Sequence, residues 1–367
     1  MTRFFRRLNR YVPKASIIFY IIGILAAAVY LICVCSPAFA DFINVHISSF
    51  FRALNAHLTG WIPFSLAEFL LISSPILLVC AVVLTTRRAM RGRRYFIRCV
   101  TGLLSVVVLI ASMFVFTFGA GYRVPTIDRK LGIPREKVSA EELAATMEIV
   151  IERLNALGPQ VIYVEEVGSI RPYSHEDTVR LCLESYAKLS EEYPFIQKLD
   201  APVKQIMLSE YMTYTHISGV YTFFTGEANL NTNYPYFVNV YTTAHEMAHQ
   251  RGIARENEAN FLAYLVCIHS DDPYMQYAGY LNMYEYLASP LYSASPSLYS
   301  KTTGNLNHYA RYDLQCYSEF FEKYRDNTAA DVSNAVNNTY LVLQGTEGSK
   351  SYGMVVDLAV AYHLNED

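Results

Sequence analysis

Long apolar runs dominate the first third of the chain, whereas the remainder mixes apolar and polar positions. Three of these runs are long enough to cross the hydrocarbon core of a bilayer, which takes about 20 residues of helix. They predict transmembrane helices at residues 16–35, 63–85 and 96–118. Three such runs in close succession favour membrane spans over the buried helices of a soluble core, so residues 1–121 are predicted to form a membrane region.

From Tyr122 onward the pattern is that of a globular domain, residues 122–367, in which apolar positions recur mostly at helical spacing. Ser139 and Glu142 form a capping box that predicts the start of the first helix of this domain. Further helices are predicted at residues 176–192, 203–213, 273–288, 314–325, 329–343 and 353–363.

Residues 216–236 differ from their surroundings. They are rich in β-branched and aromatic residues and are interrupted by Gly219, Gly226 and a cluster of Asn and Pro, which predicts one or two short strands with a turn. The predicted fold class is therefore a membrane protein in which three N-terminal transmembrane helices carry a mainly helical domain with a small sheet.

Basic residues predict the orientation of the membrane region. Five precede the first span and six lie at the junction of the second and third, whereas the connection between the first and second holds only Arg52. By the positive-inside rule, the N-terminus is cytoplasmic and everything after Tyr122 lies outside. We therefore expect a multi-pass protein of the cytoplasmic membrane, with the lipid bilayer as a partner and an extracytoplasmic C-terminal domain.

The segment SPAFAD, residues 36–41, offers an alternative fate for the first span. Its small residues are typical of a signal peptidase site, with cleavage after Ala40. The preceding apolar run is longer than the apolar core of a usual signal peptide, which favours an uncleaved anchor.

Charge limits the partners of the C-terminal domain. Of 30 Lys and Arg, 12 precede Tyr122, and of 33 Asp and Glu, 2 do, so the 18 basic and 31 acidic residues that remain give a formal net charge of −13. Nucleic acids and anionic lipid surfaces need a basic footprint. The composition therefore excludes nucleic acid as a partner and slightly favours cationic or neutral substrates.

The segment HEMAH, residues 245–249, carries the most specific chemistry. On a helix, His245 and His249 lie on one face about 6 Å apart, so both rings can converge on one zinc ion. Glu246 is turned by about a quarter of a revolution from His245, which is where a general base must stand. Gly252 suits the left-handed position that ends such a helix.

Catalytic zinc is held by three protein ligands, and two carboxylates on the next helix, which is predicted to begin near Arg255, can supply the third. Glu256 is the preferred ligand and Glu258 the alternative. Asn260 lies one turn beyond Glu256 on the same face and is predicted to orient Glu256 or a neighbouring ligand. Glu258 faces away from both and is expected to support a histidine or face solvent.

Other parts of the predicted site rest on weaker patterns. Residues 219–224 are predicted either to align an extended peptide by backbone hydrogen bonds or to be a plain core strand. Residues 226–231 are predicted either to line the cleft or to form a solvated turn. Candidates for the donor that steadies a developing oxyanion are His216, Tyr221, Tyr352, Tyr362 and His363.

The segment HEMAHQRGIARENEANFLAYL, with SGVYTFFTGEANLN before it and SYGMVVDLAVAYH near the C-terminus, resembles an uncharacterised family of bacterial membrane proteins, the domain of unknown function 3810 family. More distantly, the same residues are similar to gluzincin peptidases. This resemblance implies a zincin-like fold, Zn²⁺ held by His245, His249 and Glu256, and Asn260 at the position of an Asp.

What the resemblance implies is a membrane-anchored zinc-dependent metallopeptidase. Glu246 would be its catalytic base, its reaction would be hydrolysis of peptide or amide bonds, and its partner would be a protein or peptide substrate. Two alternatives remain open. One is a sensor or binding protein with a structural metal site and no turnover, and the other is an amphipathic helix whose two histidines belong to the core.

Overall fold

A computed structural model describes residues 8–133 and 138–364, without the side chains of residues 351–353. Most of the described chain is helical. It groups into two compact units: residues up to Val124 together with Thr222–Gly226, and Pro125–Tyr221 together with the chain from Glu227 onward. Four residues on which predictions rest lie outside what the structure describes, namely the basic residues Arg3, Arg6 and Arg7 and the side chain of Tyr352.

The first unit contains three helices that are long and apolar enough to cross a membrane. The three predicted spans are therefore confirmed as apolar helices. The ends of each helix lie within a few residues of the predicted ends. Short helical segments, which the apolar pattern did not predict, join the first span to the second. In chain order, the helices are α1 Lys14–Cys35, α2 Pro37–Phe42, a π-helical turn Ile43–Ser48, α3 Ser49–Gly60, α4 Leu66–Met90 and α5 Arg93–Thr117.

Arg52 on α3 is buried inside this unit. Its guanidinium donates to Asn44 Oδ1 at 2.8 Å and to the carbonyl oxygen of Thr117 at 3.0 Å, which joins the first connection to the end of the third span. The hydroxyl of Thr117 also donates to the carbonyl oxygen of Phe223, at 3.3 Å, so the segment Thr222–Gly226 is bound into the same unit.

The second unit is built mainly from helices. Its helices are α6 Ile127–Leu131, α7 Ala140–Leu157, α8 His175–Glu192, α9 Ser209–Thr213, α10 Tyr236–Gln250, α11 Glu256–Ile268, α12 Pro273–Ala294, α13 Pro296–Thr303, α14 His308–Glu322, α15 Thr328–Leu343 and α16 Val355–Leu364. The predicted capping box at the start of α7 is present, with both Ser139 and Glu142 bonded as expected.

Two small sheets accompany these helices. Strands β1 Ile162–Val164 and β2 Gly168–Ile170 form an antiparallel hairpin, and strands β3 Val203–Gln205, β4 Gly219–Thr222 and β5 Glu227–Leu230 form a sheet in the order β3-β5-β4. The strands expected within residues 216–236 are thus β4 and β5, joined by a turn.

The predicted helix at residues 203–213 is wrong in its first half. Val203–Gln205 pairs in parallel with β5, Val203 opposite Ala228, and only Ser209–Thr213 is helical. Pairing with a distant strand overrode the local pattern, which carries no information about that partner.

The core of the second unit surrounds α10 and α11. Every residue from Phe237 to Gln250 is buried, and so is every residue from Glu256 to Cys267. Helix α12 packs against both of them and against α7. Buried polar groups are unfavourable unless they are partnered, so the charged residues on α10 and α11 must find their partners within this core.

Candidate metal centre

A sharp turn between α10 and α11 brings their side chains together. Gly252 has a φ of +89°, a left-handed conformation that glycine adopts without strain. Its N–H donates to the carbonyl of His249 at 2.9 Å, and the N–H of Ile253 donates to the carbonyl of Ala248 at 3.1 Å. This pair of bonds is a Schellman motif, which ends α10 directly after His249 and reverses the chain into α11.

His245, His249 and Glu256 converge at this turn. Glu256 Oε2 lies 3.3 Å from Nε2 of His245 and 3.4 Å from Nε2 of His249, and one ligand atom from each residue lies within 4.8 Å of the others. Bonds of about 2.0–2.1 Å to a tetrahedral ion place ligand atoms about 3.3–3.4 Å apart. Two imidazoles and a carboxylate at this spacing therefore fit a metal ion of zinc's size.

Backbone and side-chain contacts orient the two imidazoles. The rings lie 4.6 Å apart at 89° to each other, so they approach the carboxylate from different directions. Nδ1 of His249 lies 2.7 Å from the carbonyl oxygen of Ile253, and as donor to that oxygen it turns Nε2 toward Glu256. The same turn that ends the helix thus fixes one ligand. Nδ1 of His245 has no partner among the described residues.

The charges of His249 and Glu256 are strongly coupled. Burial lowers the pKa of His249, but the charge of Glu256 and a hydrogen bond to it prevail and raise that pKa to about 9. Burial acts to raise the pKa of Glu256, but the charge of His249 and hydrogen bonds from both histidines hold it well below its ordinary range. Without a cation, a proton on His249 therefore takes the place that a metal ion would fill.

Glu246 lies beside this cluster and under strand β4. The backbone N–H of Tyr221 donates to its carboxylate, while its Oε2 has no partner among the described residues. A Cβ atom at Gly219 would stand 2.7 Å from Oε1, so the strand passes over Glu246 at a distance that only glycine permits. Burial raises the pKa of Glu246, although the histidines act to lower it.

Glu258 is directed elsewhere, so the structure does not support it as the alternative metal ligand. Its Oε1 accepts from Arg255 Nη1 at 2.8 Å and from the backbone N–H of Ile127 at 3.1 Å. It therefore fixes the start of α6 rather than contributing to the cluster.

Asn260 lies one turn after Glu256 within α11. Its carbonyl oxygen accepts a hydrogen bond from the hydroxyl of Tyr241 at 2.6 Å. Its Nδ2 is buried and has no partner among the described residues. The role predicted for the Asn260 side chain, orienting a ligand, stays a prediction.

The model of a family described as protein of unknown function (DUF3810) matches residues 43–360. The chain belongs to this family. The match spans the second and third apolar helices and the whole cluster around His245. No curated protein and no solved structure matches the chain. Membership in the DUF3810 family therefore establishes relationship but no activity, and the function has to be argued from the site.

Three of the predicted oxyanion donors, His216, Tyr362 and His363, have other hydrogen-bond partners. His216 Nε2 lies 2.6 Å from the carbonyl oxygen of Tyr324, and His363 Nε2 lies 2.7 Å from the hydroxyl of Tyr264. The hydroxyl of Tyr362 lies 3.4 Å from Nε2 of His269. Tyr221 contributes its backbone N–H to Glu246, a role that its side chain did not suggest.

The segment 226–231 is not a solvated turn, whereas its part in lining a cleft stays a prediction. Its residues from Glu227 to Asn231 are buried, and two amides brace β4: Asn229 Nδ2 donates to the carbonyl of Val220 at 3.0 Å and Asn231 Nδ2 to that of Ile217 at 2.9 Å. These amides hold the strand that covers Glu246.

One neighbour of the cluster is not predicted from the sequence, Tyr286 on α12. The charge of Glu256 contributes to raising the pKa of Tyr286, which places this tyrosine near the metal ligand.

Proposed function

We propose that this chain is a membrane-anchored zinc-dependent peptidase that hydrolyses peptide or amide bonds outside the cytoplasm. The observation that carries the proposal is the convergence of His245, His249 and Glu256 at ligand spacing, with the carboxylate of Glu246 beside them. The distribution of basic residues around the apolar helices supports the extracytoplasmic placement.

Each residue of the site has a separate role in the proposed reaction. Nε2 of His245, Nε2 of His249 and Oε2 of Glu256 hold the ion, and bound zinc supplies a Lewis acid that acidifies water and polarises a carbonyl oxygen. Glu246 accepts the proton of the attacking water on Oε2, the oxygen without a partner, and passes it to the leaving amine. The N–H of Tyr221 holds the carboxylate in place during both transfers.

Strand β4 is suited to positioning the substrate. It is an edge strand of its sheet, and an exposed sheet edge can bind an extended peptide by backbone hydrogen bonds. Because β4 also passes directly over Glu246, a peptide that pairs with it would have its backbone close to the general base.

The first test is the metal content of the full chain purified in detergent, compared with His245→Ala, Glu246→Gln and the control His308→Ala. His308 is exposed and belongs to a different part of the second unit. We expect one zinc ion per chain in the parent, in Glu246→Gln and in the control, and none in His245→Ala. Metal content is measured by mass spectrometry after dialysis against zinc.

Turnover is then measured with a peptide library, with Glu246→Gln as the inactive control. Cleavage by the parent and none by Glu246→Gln supports the peptidase. A folded parent that takes up no zinc would contradict the proposal, and stable zinc without any cleavage would favour a structural metal site in a sensor or binding protein.

A further inference from the structure

The hairpin formed by β4 and β5 belongs to both compact units. Its strands lie in the second unit apart from Thr222, whereas its tip, Thr222–Gly226, groups with the first unit. In the sheet order β3-β5-β4, β4 is the edge strand and pairs with β5 alone. Because only one neighbouring strand restrains β4, the contacts of the tip contribute to how firmly β4 is held.

The backbone of the tip lies against helix α3. Gly226 has a φ of +73°, and a Cβ atom there would stand 2.7 Å from the backbone nitrogen of Ala56 and 2.8 Å from Cβ of Asn55. These distances leave no room for a side chain at position 226, so the two backbones are in direct contact. Near the end of α3, the hydroxyl of Thr59 donates to the carbonyl oxygen of Thr225 at 3.1 Å.

Side chains of helix α5 hold the tip from a second direction. The rings of Phe114 and Phe223 meet edge to face, with 5.3 Å between their centroids, which is a favourable arrangement of two aromatic rings. The hydroxyl of Thr117 donates to the carbonyl oxygen of Phe223 at 3.3 Å. Two helices of the first unit therefore bind the tip.

The tip is closed by its own hydrogen bonds and leads directly into the strand over the general base. The N–H of Gly226 donates to the carbonyl of Thr222 at 2.8 Å, and the hydroxyls of Thr222 and Thr225 lie 2.6 Å apart. Tyr221, whose N–H donates to the carboxylate of Glu246, directly precedes this turn. A displacement of the tip is therefore passed to the strand that contacts Glu246.

We infer that helices α3 and α5 do more than anchor the protein: through the tip of the β4–β5 hairpin, they hold β4 where it positions Glu246. This inference rests on the proposed peptidase function. It makes Phe114 and Thr59 positioning residues that act on the base through β4. Turnover then depends on the arrangement of the membrane helices, and a change in how α3 and α5 pack would alter it.

Phe114→Ala tests the inference, because it removes the ring on which Phe223 packs. Phe116→Ala is the matched control, since Phe116 is also a partly buried residue of α5 but packs on Phe51 of α3, with 6.3 Å between ring centroids. In the zinc-loaded full chain in detergent, Phe114→Ala should lower kcat on a cleaved peptide by about 10-fold and leave the zinc content unchanged. The control should keep the kcat of the parent, and parent-like turnover in Phe114→Ala would overturn the inference.

Thr59→Val is a milder second variant, because it removes the hydroxyl and keeps the shape of the side chain. It should lower kcat by about 3-fold, as expected for the loss of one hydrogen bond that holds the tip. Its control is Thr85→Val, since the hydroxyl of Thr85 donates within its own helix to the carbonyl of Ala81 at 2.7 Å. Equal kcat values in Thr59→Val and Thr85→Val would contradict the inference even if Phe114→Ala did not fold.

A double-mutant cycle shows whether Phe114 acts through β4. Gly219→Ala changes β4 directly against Glu246. Independent effects on kcat multiply, whereas effects along one path do not. The double variant Gly219→Ala/Phe114→Ala should therefore lose little more turnover than Gly219→Ala alone. A loss that equals the product of the two single losses would show that Phe114 acts by another route.

Hydrogen exchange in the metal-free full chain tests the hold on β4 without any activity. The amides of residues 219–222 should exchange at least about 10-fold faster in Phe114→Ala than in the parent, while those of α10 keep their rates. Unchanged exchange in β4, or an equal increase in α10, would refute a specific hold on this strand. A parent that cleaves no peptide counts against the peptidase function, and exchange then decides the hold by itself.

Discussion

The backbone of Gly219 lies directly against the side chain of Glu246, since a Cβ atom at position 219 would stand 2.7 Å from both Cγ and Oε1 of the glutamate. Two residues further along the same strand, the N–H of Tyr221 donates to that carboxylate. Strand β4 therefore holds the proposed general base in position, and the glycine is required by this close approach.

Gly219→Ala should reduce turnover by at least about 10-fold while the zinc content stays at the parent level, because the added methyl group would stand 2.6 Å from Cγ2 of Thr242 and 2.7 Å from the side chain of Glu246, neither of which is a proposed metal ligand. The measurement is kcat on a cleaved peptide together with metal stoichiometry. Gly102→Ala is the control, since its Cβ would meet only Pro13 at 3.5 Å, an ordinary contact distance. Parent-like turnover in Gly219→Ala would show that β4 does not position the base.

Glu256→Ala and Glu258→Ala should have opposite effects. Glu256→Ala should lower zinc affinity by more than the about 10–100-fold that loss of a supporting partner costs, because it removes a direct ligand. Glu258→Ala should retain zinc and lose about 1–3 kcal/mol of stability, because it leaves the buried N–H of Ile127 and the partly buried guanidinium of Arg255 without their acceptor. Zinc titration and thermal unfolding measure the two effects, and retention of zinc by Glu256→Ala contradicts the assignment.

Zinc binding should release a proton at neutral pH. The pKa of His249 is raised to about 9, so in the metal-free protein this imidazole carries a proton at pH 7 that the ion must displace. Zinc affinity should therefore increase about 10-fold per pH unit between about 6.5 and 8.5 and level off above about 9. Calorimetry in two buffers of different ionisation enthalpy measures the proton, and equal heats in both buffers would argue against a protonated His249.

Glu285 should make the protein less stable as pH rises. Its folded pKa of about 7 lies above the ordinary carboxyl value, so folding favours the neutral form. The stability that this form contributes is fully present below about pH 4 and is lost as pH rises through 7. Glu285→Gln should thus gain about 1–3 kcal/mol relative to the parent between pH 5 and pH 8.

Thermal unfolding of the full chain at both pH values measures this gain. The control is Glu148→Gln, which changes an exposed carboxylate on α7 and should show no such change. A stability difference between Glu285→Gln and the parent that is the same at pH 5 and pH 8 would show that the carboxyl does not titrate in this range.

Local patterns in the sequence determined much of the architecture. Apolar runs of membrane-spanning length determined the three spans, because length and hydropathy alone decide whether a helix can cross a bilayer. The capping box at Ser139 and the glycine at 252 determined where helices begin and end, because both act on backbone groups within one turn. The i, i+4 spacing of His245 and His249 likewise placed both rings on one face.

Tertiary structure decided which residues meet. Glu256 and Glu258 stand two positions apart on one helix, and only the turn at Gly252 directs the former to the histidines and the latter to Ile127. The local pattern predicts helix at strand β3, because the partner strand β5 lies more than 20 residues away in the sequence. The contact of Gly219 with Glu246 also joins distant segments. Helical spacing and end signals are local, whereas contacts between distant segments depend on how the helices pack.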